Sequence, residues 1–550
     1  MAAAGNEWWR HAVVYQVYPR SFQDSNGDGV GDLQGLIDRL DYLNDGTAAS
    51  LGVDAIWLSP TFPSPMKDFG YDVSDYCDVA PEFGDLATMD RLIAECHARG
   101  IRVLLDYVPN HTSDQHPWFV ESRSSHRNPK RDWYIWRGQK PDGSLPNNWR
   151  SVFGGPAWSY DEATGQYYLH SFLREQPDLN WRNPEVVEAM HNVLRFWLDR
   201  GIDGFRIDVM GMILKHPDLA DNPPNPNWQP EGAERMQQLW VNNRNYPDVF
   251  AAVEGIRAVL DEYDDRMAVG EVFGTAEELA RFYGGAALNG LHLAFNFQLI
   301  HEVEPFTGYT QWDAATLRRI VANAESALPP GSQPCYALAN HDRPRFISRH
   351  DLDGRGLDRA FASVVLLMGL RGTPFVYYGE EIGMADADIP EDRLQDPARF
   401  RYFGRDPERT PMQWDASPGR GFTTGEPWLP FGPAEISVEV QENDPDSLLA
   451  LHRRAIWLRR GELSLQRGNY VEIDTAPDVF AFTRHCPGER PVLVAVNTAT
   501  EDRMLTLPPG YDKVILATER QAEGRPVEGD VVLPALAAMM VARSSAILPA

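Results

Sequence analysis

At 550 residues the chain has room for more than one domain, and its 43% apolar content is ordinary for a globular protein. Its 79 acidic against 51 basic residues leave a formal charge of -28, which argues against nucleic acid or an anionic membrane as partner. The scattered Cys77, Cys96, Cys335 and Cys486 suggest neither a disulfide framework nor a zinc site.

Lysine is scarce (Lys67, Lys130, Lys140, Lys215 and Lys513), so arginine supplies nearly all the positive charge. Residues Met1 to Arg10 carry no apolar core of signal-peptide length, and no run of about 18 apolar residues could span a bilayer. The expectation is a cytoplasmic protein, monomer or homodimer.

In chain order, Ala12 to Tyr18 reads as the first strand. It runs into Asp24-Ser-Asn26-Gly-Asp28-Gly29-Val30-Gly-Asp32, where oxygen donors alternate and Gly stands sixth, as in a calcium loop. The twelfth position is Gly35, not the bidentate Glu of an EF-hand, so a plain Asp/Asn/Gly turn stays open as the alternative. Leu33 to Leu43 has helical apolar spacing, Asp54 to Pro60 is a second strand, and Leu86 to Arg99 is a helix stopped by Gly100. Ile101 to Asp106 is the third strand.

The alternation pauses from about His111 to Asp178, a stretch rich in Trp, Tyr, Asn, Gly and Pro. A structureless loop of that length is implausible, so a small inserted domain with short strands such as Gln166 to Phe172 is expected. Its tryptophans (Trp118, Trp133, Trp136, Trp149, Trp158) suit either sugar stacking or a small core. Alternation resumes with helix Pro184 to Arg200 and strand Gly204 to Asp208. Helix Val249 to Tyr263, strand Met267 to Glu271, strand His292 to Phe297, helix Asp313 to Ala327, strand Tyr336 to Asn340, helix Arg359 to Leu370 and strand Thr373 to Tyr377 follow. Eight candidate strands alternating with helices predict a (β/α)₈ barrel. A long loop from Gly379 to about Asp444 and a helix from Ser447 to Arg459 lead to short alternating strands from about Leu465. The expected domains are the barrel (1–110 and 179–464), the insert (111–178) and a C-terminal antiparallel β-sandwich (465–550).

Chemistry in such barrels sits at the C-terminal strand ends. The third strand ends in Asp106 and leads to His111, the fourth ends in Arg206 and Asp208, the fifth in Glu271, and the seventh in Asn340-His341-Asp342. Residues two apart on a strand share a face, so Arg206 and Asp208 point the same way, and the guanidinium is expected to lower the Asp208 pKa. Paired carboxylates with Arg and His, and no phosphate loop, suit glycosyl transfer: one acid attacks the anomeric carbon while another protonates the leaving oxygen.

Asp106-Tyr-Val-Pro-Asn-His111, Gly204-Phe-Arg-Ile-Asp208, Gly270-Glu271-Val and Asn340-His-Asp342 resemble the four signature regions of the α-amylase family, glycoside hydrolase family 13. Gln176-Pro-Asp-Leu-Asn180 and Arg409-Thr-Pro-Met-Gln-Trp414 are similar to its oligo-1,6-glucosidase and α-glucosidase branch. The resemblance implies Asp208 as nucleophile, Glu271 as general acid/base and Asp342 as the third acid. It further implies a glucose pocket from Asp68, Tyr71, His111, Arg206, His341 and Arg409, with Phe153, Phe172 and Gln176 as the wall from the insert. It implies a structural Ca²⁺ or Mg²⁺ held by Asp24, Asn26, Asp28, the Val30 carbonyl and Asp32, and no organic cofactor. The implied activity is a retaining, exo-acting α-glucosidase on short oligosaccharides, cleaving α-1,6 and α-1,4 bonds with some transglucosylation. In relatives, Val at the position of Val209 goes with α-1,6 activity and Thr with α-1,4. The alternatives are an α-glucosyltransferase or a sucrose or maltose isomerase of the same family, although the long loop lacks the Arg-Leu-Asp-Arg-Asp pattern of sucrose isomerases. A catalytically dead relative is disfavoured by the presence of all three acids.

Overall fold

The computed structural model describes residues 7–230, 234–301, 309–396 and 404–544. Eight parallel strands close a barrel: β1 (Val14–Val17), β2 (Ala55–Leu58), β3 (Arg102–Tyr107), β7 (Gly204–Ile207), β8 (Met267–Gly270), β9 (Leu293–Asn296), β10 (Cys335–Ala337) and β11 (Thr373–Tyr377). Between β3 and β7 lie β4 (Trp136–Arg137), β5 (Trp158–Asp161) and β6 (Gln166–Leu169), a three-stranded antiparallel sheet in the order β4-β6-β5. A bridge between His111 and Asp178 joins the start and end of this excursion. Beyond the barrel, β12 (Asn469–Ile473), β13 (Val479–His485), β14 (Val492–Asn497), β16 (Tyr511–Ala517) and β18 (Ala538–Arg543) form an antiparallel sheet. Against it lies the pair β15 (Arg503–Thr506) and β17 (Asp530–Leu533).

Alternation along each strand separates two cores. Ala55 and Trp57 of β2, Leu104 of β3, Val269 of β8 and Phe295 of β9 fill the barrel interior. Their neighbours Ile56, Leu58, Val103, Leu105 and Phe205 pack outward against the helices. On β7 the inward positions are Gly204 and Arg206. A Cβ on Gly204 would stand 2.1 Å from the Met267 carbonyl oxygen, so only glycine fits beneath Arg206. Parallel register sets Arg206 beside Asp106 on one side and Val269 on the other.

Two helix readings show how caps and tertiary contacts set ends. The helix Pro184–Asp199 starts where the Asn183 side chain accepts from Glu185 N, with Pro at the first turn. The single helix expected over Leu33 to Leu43 is two, Leu33–Asp38 and Leu40–Leu43. Arg39 stands between them outside helical geometry, with its guanidinium 4.3 Å over the Trp414 ring and donating to Gln23 and to the Gly421 carbonyl. No helix among the described residues is long and apolar enough to cross a membrane.

Candidate active site

The C-terminal ends of β3, β7 and β8 bring three carboxylates onto one guanidinium. Arg206 Nη1 donates to Asp106 (2.7 Å) and to Asp208 (2.8 Å), and Nη2 donates to Glu271. All four side chains are buried. Asp106 also accepts from Trp57 Nε1 and Tyr71 Oη at 3.1 Å each, which holds it behind the site and out of the pocket lining. A single positive charge cannot balance three carboxylates out of water. Burial pushes the Asp106 carboxyl up to about 6 and Asp208 well above its ordinary range, against the pull of Arg206. The lowering expected for Asp208 from Arg206 alone is thus overturned: desolvation outweighs it, and Glu271, Asp106 and Asp342 add to the rise.

A second guanidinium closes one end of the pocket. Arg405 Nη2 donates to Asp68 at 2.6 Å, Nη1 to Asp342 at 3.0 Å, and Nε to Asp396 at 2.8 Å. Gln176 Nε2 donates to the other Asp68 oxygen at 2.9 Å. Arg409 donates to the His341 carbonyl (2.6 Å) and to Asp342 (2.9 Å). Burial would raise the Asp342 carboxyl, but His341, Arg405 and Arg409 outweigh it and hold it well below the usual range. Asp342 is therefore an ionised acceptor, with 25% of its side chain still open to the pocket. Burial lowers the His341 imidazole well below its usual value. Its ring stacks on Tyr71 at 5.4 Å, with Tyr71 Oη 2.6 Å from Nε2.

Of the expected site residues, Asp68, Tyr71, His111, Phe153, Phe172, Asp208, Val209, Glu271 and Asp342 line one pocket. Gln176, Arg206, His341 and Arg409 stand directly behind them, bonded to the lining groups. Val209 lies past the end of β7 with φ +36° and ψ +46°, a left-handed conformation rare for a β-branched residue. That turn swings its side chain into the mouth, where it packs with Met212 and Trp240. It also aims the Val209 N–H at Glu271 Oε2, 3.2 Å away.

The tryptophans of the insert do not reach the pocket. Trp149 and Trp158 form a small core with Leu169, and Trp118 packs edge-on against Trp133. The pocket lining also includes Trp240, in a loop the sequence reading passed over, and Arg405, which it also missed. Arg405 and Asp68 are 337 residues apart, so no local spacing connects them.

The loop after β1 is a separate matter. Asp24 accepts from the N–H groups of Asn26, Gly27 and Gly29 and from Thr423 Oγ1, and Asp32 accepts from Ser25 and Gly35. Asn26 and Asp28 each accept the N–H two residues on. Gly29 has φ +89°, and a Cβ there would meet the Glu426 carbonyl at 1.8 Å. The donors are all hard oxygens, which fits Ca²⁺ or Mg²⁺ chemistry. In this geometry, however, the carboxylates turn to the loop's own N–H groups, and among the described residues no group of three or more His, Cys, Asp or Glu is placed to hold an ion.

A closed parallel barrel carrying acids on separate strand ends, gathered around arginines in one pocket, places the protein among the barrel glycoside hydrolases. Comparison with known proteins gives the family. Residues 16–468 match the family described as alpha amylase, catalytic domain. The chain is 43% identical over 518 residues to a probable alpha-glucosidase of Rhizobium meliloti, covering 91% of each. It is 41% identical to an oligo-1,6-glucosidase of Heyndrickxia coagulans, covering 93% of this chain and 95% of that one. Among solved structures, an alpha-glucosyl transfer enzyme, XgtA, superposes with a TM-score of 0.89 at 39% identity, covering 98% and 99% of the two chains. The trehalulose synthase MutB of Pseudomonas mesoacidophila superposes with a TM-score of 0.86 at 35% identity, covering 97% and 99%. The protein belongs to the α-amylase family, glycoside hydrolase family 13.

Proposed function

We propose that the protein is a retaining, exo-acting α-glucosidase that releases α-glucose from the non-reducing end of short α-1,6- and α-1,4-glucosides. The observation that carries this reading is the closed end of the pocket. In this reading the mutually bonded run Gln176–Asp68–Arg405–Asp342–Arg409 is a wall that a longer chain would not pass, which suits a terminal sugar beside Asp208 and Glu271. The glucosidase names of the similar proteins support the same activity.

In this reading Asp208 attacks the anomeric carbon and forms a β-glucosyl ester while Glu271 gives its proton to the departing oxygen. Glu271 then takes a proton from water, whose oxygen displaces Asp208 and restores the α-configuration. Three carboxylates on one guanidinium favour keeping one proton in the cluster at neutral pH, and the mechanism needs one ionised and one protonated acid. Ionised Asp342 grips sugar hydroxyls of the distorted ring, with His111, His341 and Asp68 around it. A sugar panel (maltose, isomaltose, sucrose, trehalose, panose), with products followed by NMR, tests the proposal. Cleavage inside longer chains, or a first product of β-configuration, would overturn it.

Transfer to a sugar hydroxyl in place of water uses the same ester and is the second reading. It is favoured by the likeness to an enzyme named for glucosyl transfer and to a trehalulose synthase. The time course of the same panel separates hydrolysis from transfer and isomerisation. We also propose that Asp24, Asn26, Asp28, Val30 and Asp32 take a structural divalent cation, on the strength of their hard-oxygen donor set. Such an ion would supply stability to the loop and no catalytic step.

A further inference from the structure

Asp396 is fully buried in the long segment after β11, and the mechanism above gives it no task. Its two oxygens take the side edge of the Arg405 guanidinium, with Nε 2.8 Å from Oδ2 and Nη2 3.0 Å from Oδ1. Oδ2 also accepts the Arg405 backbone N–H at 2.8 Å. In return, Asp406 Oδ2 accepts the N–H groups of Gln395 and Asp396 at 2.6 and 2.8 Å. Residues 395–396 and 405–406 are thus clasped to each other through the Asp396 and Asp406 carboxylates. Burial works against the charge on Arg405, but Asp396, ahead of Asp68, outweighs it and holds the guanidinium well above its ordinary range.

A guanidinium is a rigid plane, so a carboxylate seated on its side edge fixes where its far end points. The far end of Arg405 carries two acids of the pocket lining. Nη2 uses its second hydrogen on Asp68 at 2.6 Å, and Nη1 donates to Asp342 at 3.0 Å. The guanidinium carbon lies 5.3 Å over the Phe153 ring, which limits tilt out of the plane. We infer that Asp396 is a positioning residue for the terminal sugar: it sets the angle of the Arg405 fork, and through it the separation of Asp68 and Asp342 at the closed end of the pocket. The inference rests on the glucosidase reading of that pocket. Asp396→Asn keeps the size but leaves one oxygen, so the new NH₂ faces one of the side-edge N–H groups. The guanidinium then turns, and the two acids lose the spacing that suits the sugar hydroxyls.

The test compares full-length wild type, Asp396→Asn, Arg405→Lys and the double variant. Asp396→Asn should raise the KM for isomaltose and the inhibition constant of free glucose about tenfold, with kcat lowered less, as for one weakened set of charge-assisted bonds. In the Arg405→Lys background the same change should add little, because an ammonium has no side edge to hold. Asp396→Glu keeps the charge and shifts the fork by a methylene. It should also raise both constants, and it is read alone if Asp396→Asn does not fold. A lowered Tm with unchanged KM in Asp396→Asn, or penalties on KM that multiply in the double variant, would overturn the inference and leave Asp396 a clasp of the loop only. A crystal structure of Asp396→Asn without sugar should show the Arg405 plane turned and the separation of Asp68 and Asp342 changed. An unmoved guanidinium would overturn the inference as well. That arm does not depend on the glucosidase reading, whereas a wild type inactive on α-glucosides sinks the reading alone.

Discussion

Arg206 Nη1 stands 2.8 Å from Asp208 Oδ1, yet the carboxylate is held above its ordinary titration range because both groups are buried with Asp106 and Glu271. The folded carboxyl binds its proton more tightly than the unfolded one, whose ordinary value is 3.8. Ionising it therefore costs stability, and the cost grows as pH rises above that value. Asp208→Asn removes the cost and should raise Tm at pH 7. The same change removes the nucleophile and should lower kcat by a factor on the order of 10⁴ or more. Thermal melts and steady-state rates on one preparation check both, and a destabilised variant would count against this account of the cluster.

The pH profile follows from the same groups. The cluster titrates as a unit, with burial setting Asp106 at about 6 and Asp208 also raised. Protonating Asp208 removes the attacking carboxylate, so the acid limb of kcat/KM should lie above the ordinary carboxylate range. An acid limb confined to below about pH 4 would mean that the nucleophile titrates as an ordinary carboxylate.

Arg405 holds Asp68 and Asp342 with separate arms, a fork that a lysine point charge does not reproduce. Arg405→Lys should raise KM and lower kcat/KM by roughly 10- to 100-fold, as for lost charge-assisted bonds. Arg405→Ala should lower it further. Wild-type kinetics in Arg405→Lys would show that Arg409 alone orients Asp342.

On a continuing strand Val209 would face away from Asp208, but β7 ends at Ile207 and the left-handed turn sets Val209 in the pocket lining against Met212 and Trp240. Val209→Thr keeps the shape and adds a hydroxyl worth about 1 kcal/mol if it finds a partner. The maltose-to-isomaltose ratio of kcat/KM should shift several-fold towards maltose. An unchanged ratio would move linkage preference to other parts of the wall.

For the loop Asp24–Asp32, treatment with a chelator should lower Tm and leave the low-temperature rate nearly unchanged. Calorimetry with Ca²⁺ and Mg²⁺ added back identifies the ion. A Tm insensitive to chelator would reduce the segment to the Asp-capped turn described above.

The sequence by itself determined the barrel and the reaction-bearing strand ends. Eight short apolar runs alternating with helical segments leave few architectures, and Asp208, Glu271 and Asp342 fall where apolar strands stop, a position legible without coordinates. Resemblance added the pocket residues around them. Only the tertiary structure decided what those residues experience. Whether Asp208 is raised or lowered depends on how many carboxylates share Arg206 and how little water reaches them. That is a property of strands β3, β7 and β8 meeting in register, not of the spacing between residues 206 and 208. Arg405 and Trp240 meet partners far along the chain or at the end of an irregular loop, where no periodicity marks them. The strand read from the sequence stops at Asp208 and leaves the conformation of Val209 open; the left-handed turn there, with the Val209 N–H on Glu271, is set only in the fold.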